Sequence, residues 1–570
     1  PKDNAWWWDV LKYGRASKYA TAFDIDWAAG DSRIWLPVLG DGTPEDPEAE
    51  LAKLRVVDGE LHYYDNVYPL APGTEETARA ALAAGPAEDA APAEERLARA
   101  VHELQNYRLM PWREADDNLN YRRFFAVNSL AGVRVEIPRV FAETHREILS
   151  WVRDGLVDGL RVDHPDGLAD PGGYFENLRQ ATGGVYLLGE KILEPGERLP
   201  AAWAVDGTTG YDALGEVDRV LTDPAGAPAL DAVAARLGDW DATGGGAAEA
   251  VWAEMIHGTK RAVADGMLHA EVERLARLVP GLVPGDEESG EDSGDGTGQD
   301  AAGHHRLQDT LAELLACFPV YRSYLPTGRE YLDDAAAEVR RRRPELADVL
   351  EALLPLLGDP DHPLAERFQQ TSGMVMAKGV EDTAFYRYSR LASLNEVGGD
   401  PSSFALGLEG FHAAQADRQA RMPRTMTTLS THDTKRSEDV RARIDVLSEI
   451  PQEWAAALDR LMALAPLGDG PFEKLLWETI VGAWPVDGGP LETQRLADYA
   501  LKAAREAATR TTWTEQDETF EARLADLAER ATGKGELREA VQQVADRIAV
   551  AGVSNQVAMK LIQLTMPGVP

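Results

Sequence analysis

Apolar positions along this chain fall into two interleaved textures, short alternating bursts and longer helical spacings. Residues 34–39, Ile-Trp-Leu-Pro-Val-Leu, make one short apolar run. Residues 54–64 read as two strands around Asp58-Gly59, a dipeptide that favours a tight hairpin. Gly159-Leu160-Arg161-Val162-Asp163 predicts a strand with Leu160 and Val162 on one face and Arg161 and Asp163 on the other. Helical spacing precedes it at 138–151 and follows at 174–182, and residues 184–190, Gly-Val-Tyr-Leu-Leu-Gly-Glu, supply the next strand. That rhythm predicts parallel βα units. Strand-like pieces return at 373–377 and 424–430. Residues 247–279, 306–318, 331–357 and 440–549 read as helices, and a last apolar segment covers 557–566. Residues 1–33 have a loop-like texture, and 74–100 a helix or surface tether. Gly285 to Asp300, acidic and rich in Gly and Ser, predicts a disordered surface loop.

Composition narrows the classes of function. A chain of 570 residues exceeds one small domain but suits a barrel with insertions. Its apolar share of 44% and charged share of 27% are those of a soluble globular protein. A formal net charge of −38, with a pI near 4.7, argues against nucleic acid and anionic membranes as partners. The single cysteine, Cys317, excludes an internal disulfide and fits a cytoplasmic setting. Neither a membrane-spanning run nor a signal segment is expected. The missing initiator Met and the stop at Pro570 suggest a fragment. The 14 tryptophans, among them Trp6-Trp7-Trp8, Trp112 and Trp203, suit sugar faces or cores, with core packing the commoner use.

Three predicted strand ends carry acids: Asp163, Glu190 and Asp433. An arginine two residues before Asp163 either forms a structural ion pair or keeps a carboxylate nucleophile ionised. In a (β/α)8 barrel the C-terminal strand ends form the active face, although acids there also cap the following helices. The spacing from Asp163 to Glu190 suits one βα unit and sets them on neighbouring strands, the arrangement of a retaining glycosidase pair.

Gly159 to Asp163, Leu188-Gly189-Glu190 and Ser430-Thr431-His432-Asp433 resemble three conserved regions of the α-amylase superfamily, glycoside hydrolase family 13. Longer runs resemble that superfamily's maltooligosyltrehalose synthases, glucan glucosylmutases that make a trehalose end on maltodextrins. They include Trp6–Leu11, Asn120–Phe125, Asp163–Leu168, Gly189–Leu193, Asp206–Asp212, Met376–Arg387, Leu394–Gly399, Ser430–Val440 and Gly482–Pro485. The resemblance implies an α/β fold, a (β/α)8 TIM barrel truncated at both ends, with a small β insertion and large helical insertions. Its parts would be a barrel loop region at 1–33, a β-rich insertion with a helical tether at 34–106, and barrel strands carrying Asp163 and Glu190 at 107–225. A helical insertion at 226–365, strands carrying Lys378 and Asp433 at 366–440, a second helical insertion at 441–549 and a curtailed last barrel segment at 550–570 would follow.

The same resemblance makes Asp163 the nucleophile, Glu190 the general acid/base and Asp433 the transition-state stabiliser. Arg161 and His432 would contact the nucleophile and the sugar held at the cleavage point. Lys378 and Glu381 would lie near the reducing-end glucose, unless they form a mere salt bridge, and His164 and Lys191 would line the same region. It implies a maltodextrin substrate, no cofactor or metal, and a separate trehalose-releasing hydrolase acting downstream. The superfamily's Asp…Asn-His region is not found here, and Ala126 stands where this family would carry an Asp. An α-glucan hydrolase, a 4-α-glucanotransferase or an inactive sugar-binding fragment are the alternative readings.

Overall fold

Three parallel strands, Gly159–Val162, Tyr186–Gly189 and Gly207–Thr208, form the sheet on which the site is built. The computed structural model describes residues 2–42, 49–84, 91–238, 247–279, 281–282, 297–487 and 489–570. Leu160 and Val162 pack with Leu187 against Phe175, Leu178 and Trp203. Strand alternation therefore turns Arg161 to the other face. Register places Arg161 opposite Leu188 and Val162 opposite Gly189. Helix Pro171–Ala181 joins the first two strands and is capped by Asp170, whose carboxylate accepts from the Gly173 amide at 2.9 Å.

The sheet continues sideways through residues 425–427 and Val569. The Met426 amide donates to the Thr208 carbonyl at 3.2 Å, and the Thr427 amide to the Val569 carbonyl at 2.8 Å. Thr425 Oγ1 stands in for a strand carbonyl, accepting from the Thr208 amide at 2.9 Å. Gly210 makes this approach possible. Its φ is +97°, and a Cβ there would lie 2.3 Å from the Met426 carbonyl oxygen. Ile34–Leu39 and Tyr107–Pro111 form a separate parallel pair. Beside it stands an antiparallel sheet of Arg55–Val57, Glu60–Tyr63 and Asn66–Pro69, turned at Asp58 and Gly59, both with positive φ. Among the described residues no pairing joins the two parallel sets or closes a ring. The expected barrel is thus met only as an arc of parallel segments.

Several expected elements differ. Residues 373–377, read as a strand, are helical: 373–376 end helix Pro363–Met376, and Ala377 opens the π-helix Ala377–Ala384 that carries Lys378. A short apolar run carries no period, and this helix is buried all round from Arg367 to Met376. The expected loop at 1–33 contains helix Ala5–Tyr13, capped by Asn4, whose three successive tryptophans hide its period. Trp7 packs edge-on against Phe23 and Tyr121. Of residues 557–566, all but the capping Met566 belong to helix Glu536–Thr565, and Val569 pairs with Met426. Of the acidic loop, 285–296 lie outside the described residues, and 297–300 open helix Thr297–Cys317. The helical blocks have their own cores, one around Leu311, Val349 and Phe368, the other around Trp454, Trp477 and Ile548.

One buried carboxylate ties these parts together. Asp24 accepts from Arg122 at 3.0 Å, Arg274 at 2.5 Å and Arg367 at 2.7 Å. Burial opposes its ionisation, but the three guanidiniums outweigh it and hold its pKa far below the ordinary carboxylate range. Arg122 also donates to the Gly167 carbonyl at 3.1 Å, so the clamp reaches the turn after Asp163. Asp24→Ala leaves three arginines crowded without their anion and is expected to cost about 3–5 kcal/mol of unfolding free energy. Urea denaturation of the variant checks this, and a loss below about 1 kcal/mol overturns the clamp.

Candidate active site

Asp163 and Glu190 each leave the end of a strand, and the Glu190 amide donates to the Val162 carbonyl at 2.8 Å. Arg161 lies between them. Its Nη1 donates to Asp163 Oδ1 at 2.6 Å and its Nη2 to Glu190 Oε1 at 2.8 Å. The other Glu190 oxygen accepts from the His164 amide at 2.9 Å, aimed there by a left-handed backbone at His164 (φ 40°). Glu190 is 12% exposed and Asp163 52%. Burial raises the Glu190 pKa to about 7; His164 and Arg161 oppose the shift, while Asp163 and Asp433 add to it. Burial against Phe124 and Phe125 lowers the His164 imidazole to about 4 and keeps it neutral.

Asp433 reaches the same cavity from the loop after residues 425–427, with His432 Nε2 2.9 Å from its Oδ2. Buried Glu396 positions that loop, accepting from the Lys435 amide at 2.7 Å and the Arg436 amide at 3.0 Å. Glu396 belongs to the Leu394–Gly399 run, whose part in the site its sequence did not reveal.

The facing wall comes from the helical blocks. Widening of the helix at Ala377–Ala384 turns Lys378, Glu381 and Asp382 together into the cavity. Lys378 pairs with Asp382 at 2.7 Å, and Lys435 with the other Asp382 oxygen at 3.1 Å. Glu381 instead accepts from Tyr321 Oη. Burial raises the Glu381 pKa to about 7 against the pull of Lys435. Burial works against ionisation of Asp382 too, but Lys435 and Lys378 outweigh it and lower its pKa.

The cavity measures about 330 Å³. A groove of about 970 Å³ shares Asp163, His164, Phe124 and Phe125 with it, so the two run together past Asp163.

Of the nine residues expected at the site, eight converge on this cavity or on the carboxyls that line it. Lys191 does not. Its ammonium is fully buried, 3.4 Å from Asp166 and 3.0 Å from Glu197. Burial would lower its pKa, but the two carboxylates raise it, so Lys191 supports the wall from behind. The resemblance placed Lys191 at the cavity lining, but the chain leaves the sheet after Gly189 and carries the side chain into the buried layer instead. The sequence reading missed Tyr211, Tyr321, Asp382 and Lys435; the two tyrosines arrive from other segments, whereas Asp382 and Lys435 stand beside Glu381 and Asp433. Among the described residues one grouping could hold a metal ion, His257, Glu313 and Cys317. Glu313 there is already engaged by His257 at 2.9 Å and Arg261 at 3.1 Å.

No protein-family model matches the chain. It is 40% identical over 574 residues to a Mycobacterium tuberculosis protein assigned as a maltooligosyl trehalose synthase, covering 100% of this chain and 68% of that one. The crystal structure of maltooligosyltrehalose synthase from Arthrobacter ramosus is similar at a TM-score of 0.88 and 48% identity, over 100% of this chain and 68% of that one. A hypothetical maltooligosyl trehalose synthase from Sulfolobus tokodaii reaches a TM-score of 0.78 at 28% identity, over 100% and 69%.

Removing the Lys435 ammonium tests the facing wall. In Lys435→Met, Glu381 and Asp382 lose a shared counter-charge, so both carboxyls are expected to titrate at higher pH. Infrared carboxyl titration, with Glu381→Gln identifying one band, reads this. Unmoved midpoints would show that Lys435 does not govern the wall.

Proposed function

The chain belongs to the maltooligosyltrehalose synthase family, and we propose that the cavity beside Arg161 turns the reducing-end α-1,4 linkage of a maltodextrin into an α,α-1,1 linkage. The reaction is an intramolecular transglycosylation, which makes the protein an isomerase of trehalose biosynthesis. One observation carries the assignment of residues. A single guanidinium sets two strand-end carboxyls side by side, one half-exposed and one buried with its pKa at about 7. Side-by-side carboxyls fit a retaining pair, about 5–5.5 Å apart, better than an inverting pair at about 6.5–9.5 Å.

Protonated Glu190 gives its proton to the last glycosidic oxygen while Asp163 attacks the anomeric carbon, leaving the shortened chain as a covalent ester. Asp433 offsets the positive charge of the oxocarbenium-like transition state. The released glucose stays in the 330 Å³ cavity, where Lys378, Glu381 and His432 offer donors and acceptors to its hydroxyls. It turns, presents its anomeric hydroxyl, and Glu190 now removes that proton as the α,α-1,1 bond forms. Two inversions preserve the α configuration. A glucose held in place outcompetes water through its effective concentration.

We read the arc of parallel segments as part of a (β/α)8 barrel of amylase type, with a separate trehalose-releasing hydrolase acting on the product. No described helix is long and apolar enough to cross a membrane, and the lone cysteine supports a reducing, cytoplasmic setting. The hydrolase, glucanotransferase and inactive-fragment readings are not favoured, because the similar proteins carry the synthase name.

Incubation with maltopentaose is expected to lower reducing power as trehalosyl dextrin forms; rising reducing power would mean hydrolysis. Asp163→Asn should lose at least about 10³-fold in isomerisation while still binding maltopentaose, and a variant that keeps isomerising removes Asp163 as nucleophile. Because Glu190 must enter protonated, with its folded pKa raised to about 7, its acid form is complete well below that pH and lost above it. Activity is therefore expected to fall about tenfold per pH unit on the alkaline side, starting near 7. A rate flat to pH 9 would exclude Glu190 as the acid.

A further inference from the structure

The run Asp206–Asp212 has no role in the double displacement, yet it is tightly built. Asp206 accepts from the Leu187 amide at 2.9 Å and from Arg179 at 3.0 Å, locking it to the neighbouring strand. Asp212 pairs with Arg418 at 2.9 Å and accepts from Thr208 Oγ1 at 3.2 Å. A Cβ on Gly207 would meet Thr425 Cα at 2.4 Å, so only glycine allows that approach. A Cβ on Gly398 would likewise lie 2.6 Å from the Tyr211 Cβ and 2.9 Å from its carbonyl group. All of this fixes the first residue of helix Tyr211–Leu221, whose ring is fully buried. The Tyr211 hydroxyl lies 2.9 Å from Thr431 Oγ1, 3.4 Å from Glu190 Oε1 and 3.4 Å from Asp433 Oδ2.

We propose that Tyr211 is a positioning residue whose single hydroxyl proton serves Glu190 and Asp433 in turn as the charge of Glu190 changes through the reaction. The proposal rests on the reading of Glu190 as acid/base. A phenol has one proton to donate, and burial raises the Tyr211 pKa well above its ordinary value, so that proton stays on oxygen. While Glu190 holds its own proton, the Asp433 carboxylate is the acceptor. Once Glu190 has delivered its proton, its carboxylate takes over, by rotation about the phenol C–O bond. Proton count is unchanged throughout, and the two 3.4 Å contacts shorten alternately as apo hydrogen bonds do on engagement.

The test reads Glu190 directly, through a carboxyl infrared band that vanishes in Glu190→Gln. A hydrogen bond donated to the ionised form lowers a pKa, so in Tyr211→Phe the Glu190 midpoint should move up from about 7 by about half to one pH unit. The alkaline limb of the rate should move with it, and kcat should fall about tenfold with the KM for maltopentaose within about twofold. Thr431→Val removes the hydroxyl 2.9 Å from the phenol oxygen, the nearest other acceptor open to its proton, and should move the midpoint the other way, a readout available even if Tyr211→Phe does not fold. An unmoved midpoint in either variant, or movement in the same direction in both, overturns the proposal. A wild-type protein that makes no trehalosyl product would instead defeat the proposed reaction, while the titration would still report on Tyr211.

Discussion

One guanidinium shared by two carboxyls is the constraint to which the rest of the site answers. Arg161 can hold Asp163 and Glu190 together only if both leave adjacent parallel strands at the same level, with the arginine on the face opposite the core. A one-residue slip would turn Arg161 into the cluster around Phe175. The glycine at 189 belongs to the same requirement, since a Cβ there would stand 2.9 Å from the Phe175 ring. Arg161 also divides its charge. Asp163, half-exposed, has water and the guanidinium; Glu190, buried, has the guanidinium and one amide, and these do not offset its desolvation. The same cation thus leaves one carboxyl suited to attack and the other suited to give a proton.

What the chain's pattern revealed follows how local each feature is. The hairpin at Asp58-Gly59 and the two strands ending at Asp163 and Glu190 rest on alternation and turn chemistry within a few residues, and both were readable. The Lys378 segment was not, because five apolar residues in a row look alike in a buried strand and a buried helix. A π-helix leaves no periodic trace of its own, so the meeting of Lys378, Glu381 and Asp382 in one cavity could be drawn from family resemblance for the first two but not for the third. Tyr211 sat inside a quoted run without an assigned task, since a hydroxyl's neighbours are set by elements more than 200 positions away. Lys191 failed for the opposite reason. Its place at the cavity was drawn from the resemblance alone, and beyond Gly189 no strand alternation indicates that the side chain turns inward to Asp166 and Glu197.

The cavity joins two kinds of support. One side is carried by the parallel strands, whose backbone hydrogen bonds fix the chain at Asp163 and Glu190 with little freedom. The facing side is carried by the π-helix and by the loops bearing Tyr321, Glu396 and Asp433, and there polar groups hold one another: Lys378 and Lys435 on Asp382, Tyr321 on Glu381, Glu396 on the loop of Asp433. Such a wall loses little when a sugar hydroxyl arrives, because its dipoles are already oriented.

This division bears on why a glucose set free by bond cleavage would turn rather than leave. A wall built only of apolar side chains would bind one orientation through shape, and the freed sugar would have to surrender that contact to rotate. Here the donors and acceptors are several and chemically mixed, with ammonium, carboxyl, phenol and imidazole groups around one small volume. On the proposed mechanism a hydroxyl-covered ring would exchange one set of hydrogen bonds for another, each exchange keeping it within reach of the ester proposed at Asp163. Water offers Glu190 the same chemistry but none of these simultaneous contacts. On that proposal the polar, mutually paired wall favours rotation over release, and the placement of Glu190 at the junction of both walls would let one carboxyl serve both halves of the exchange.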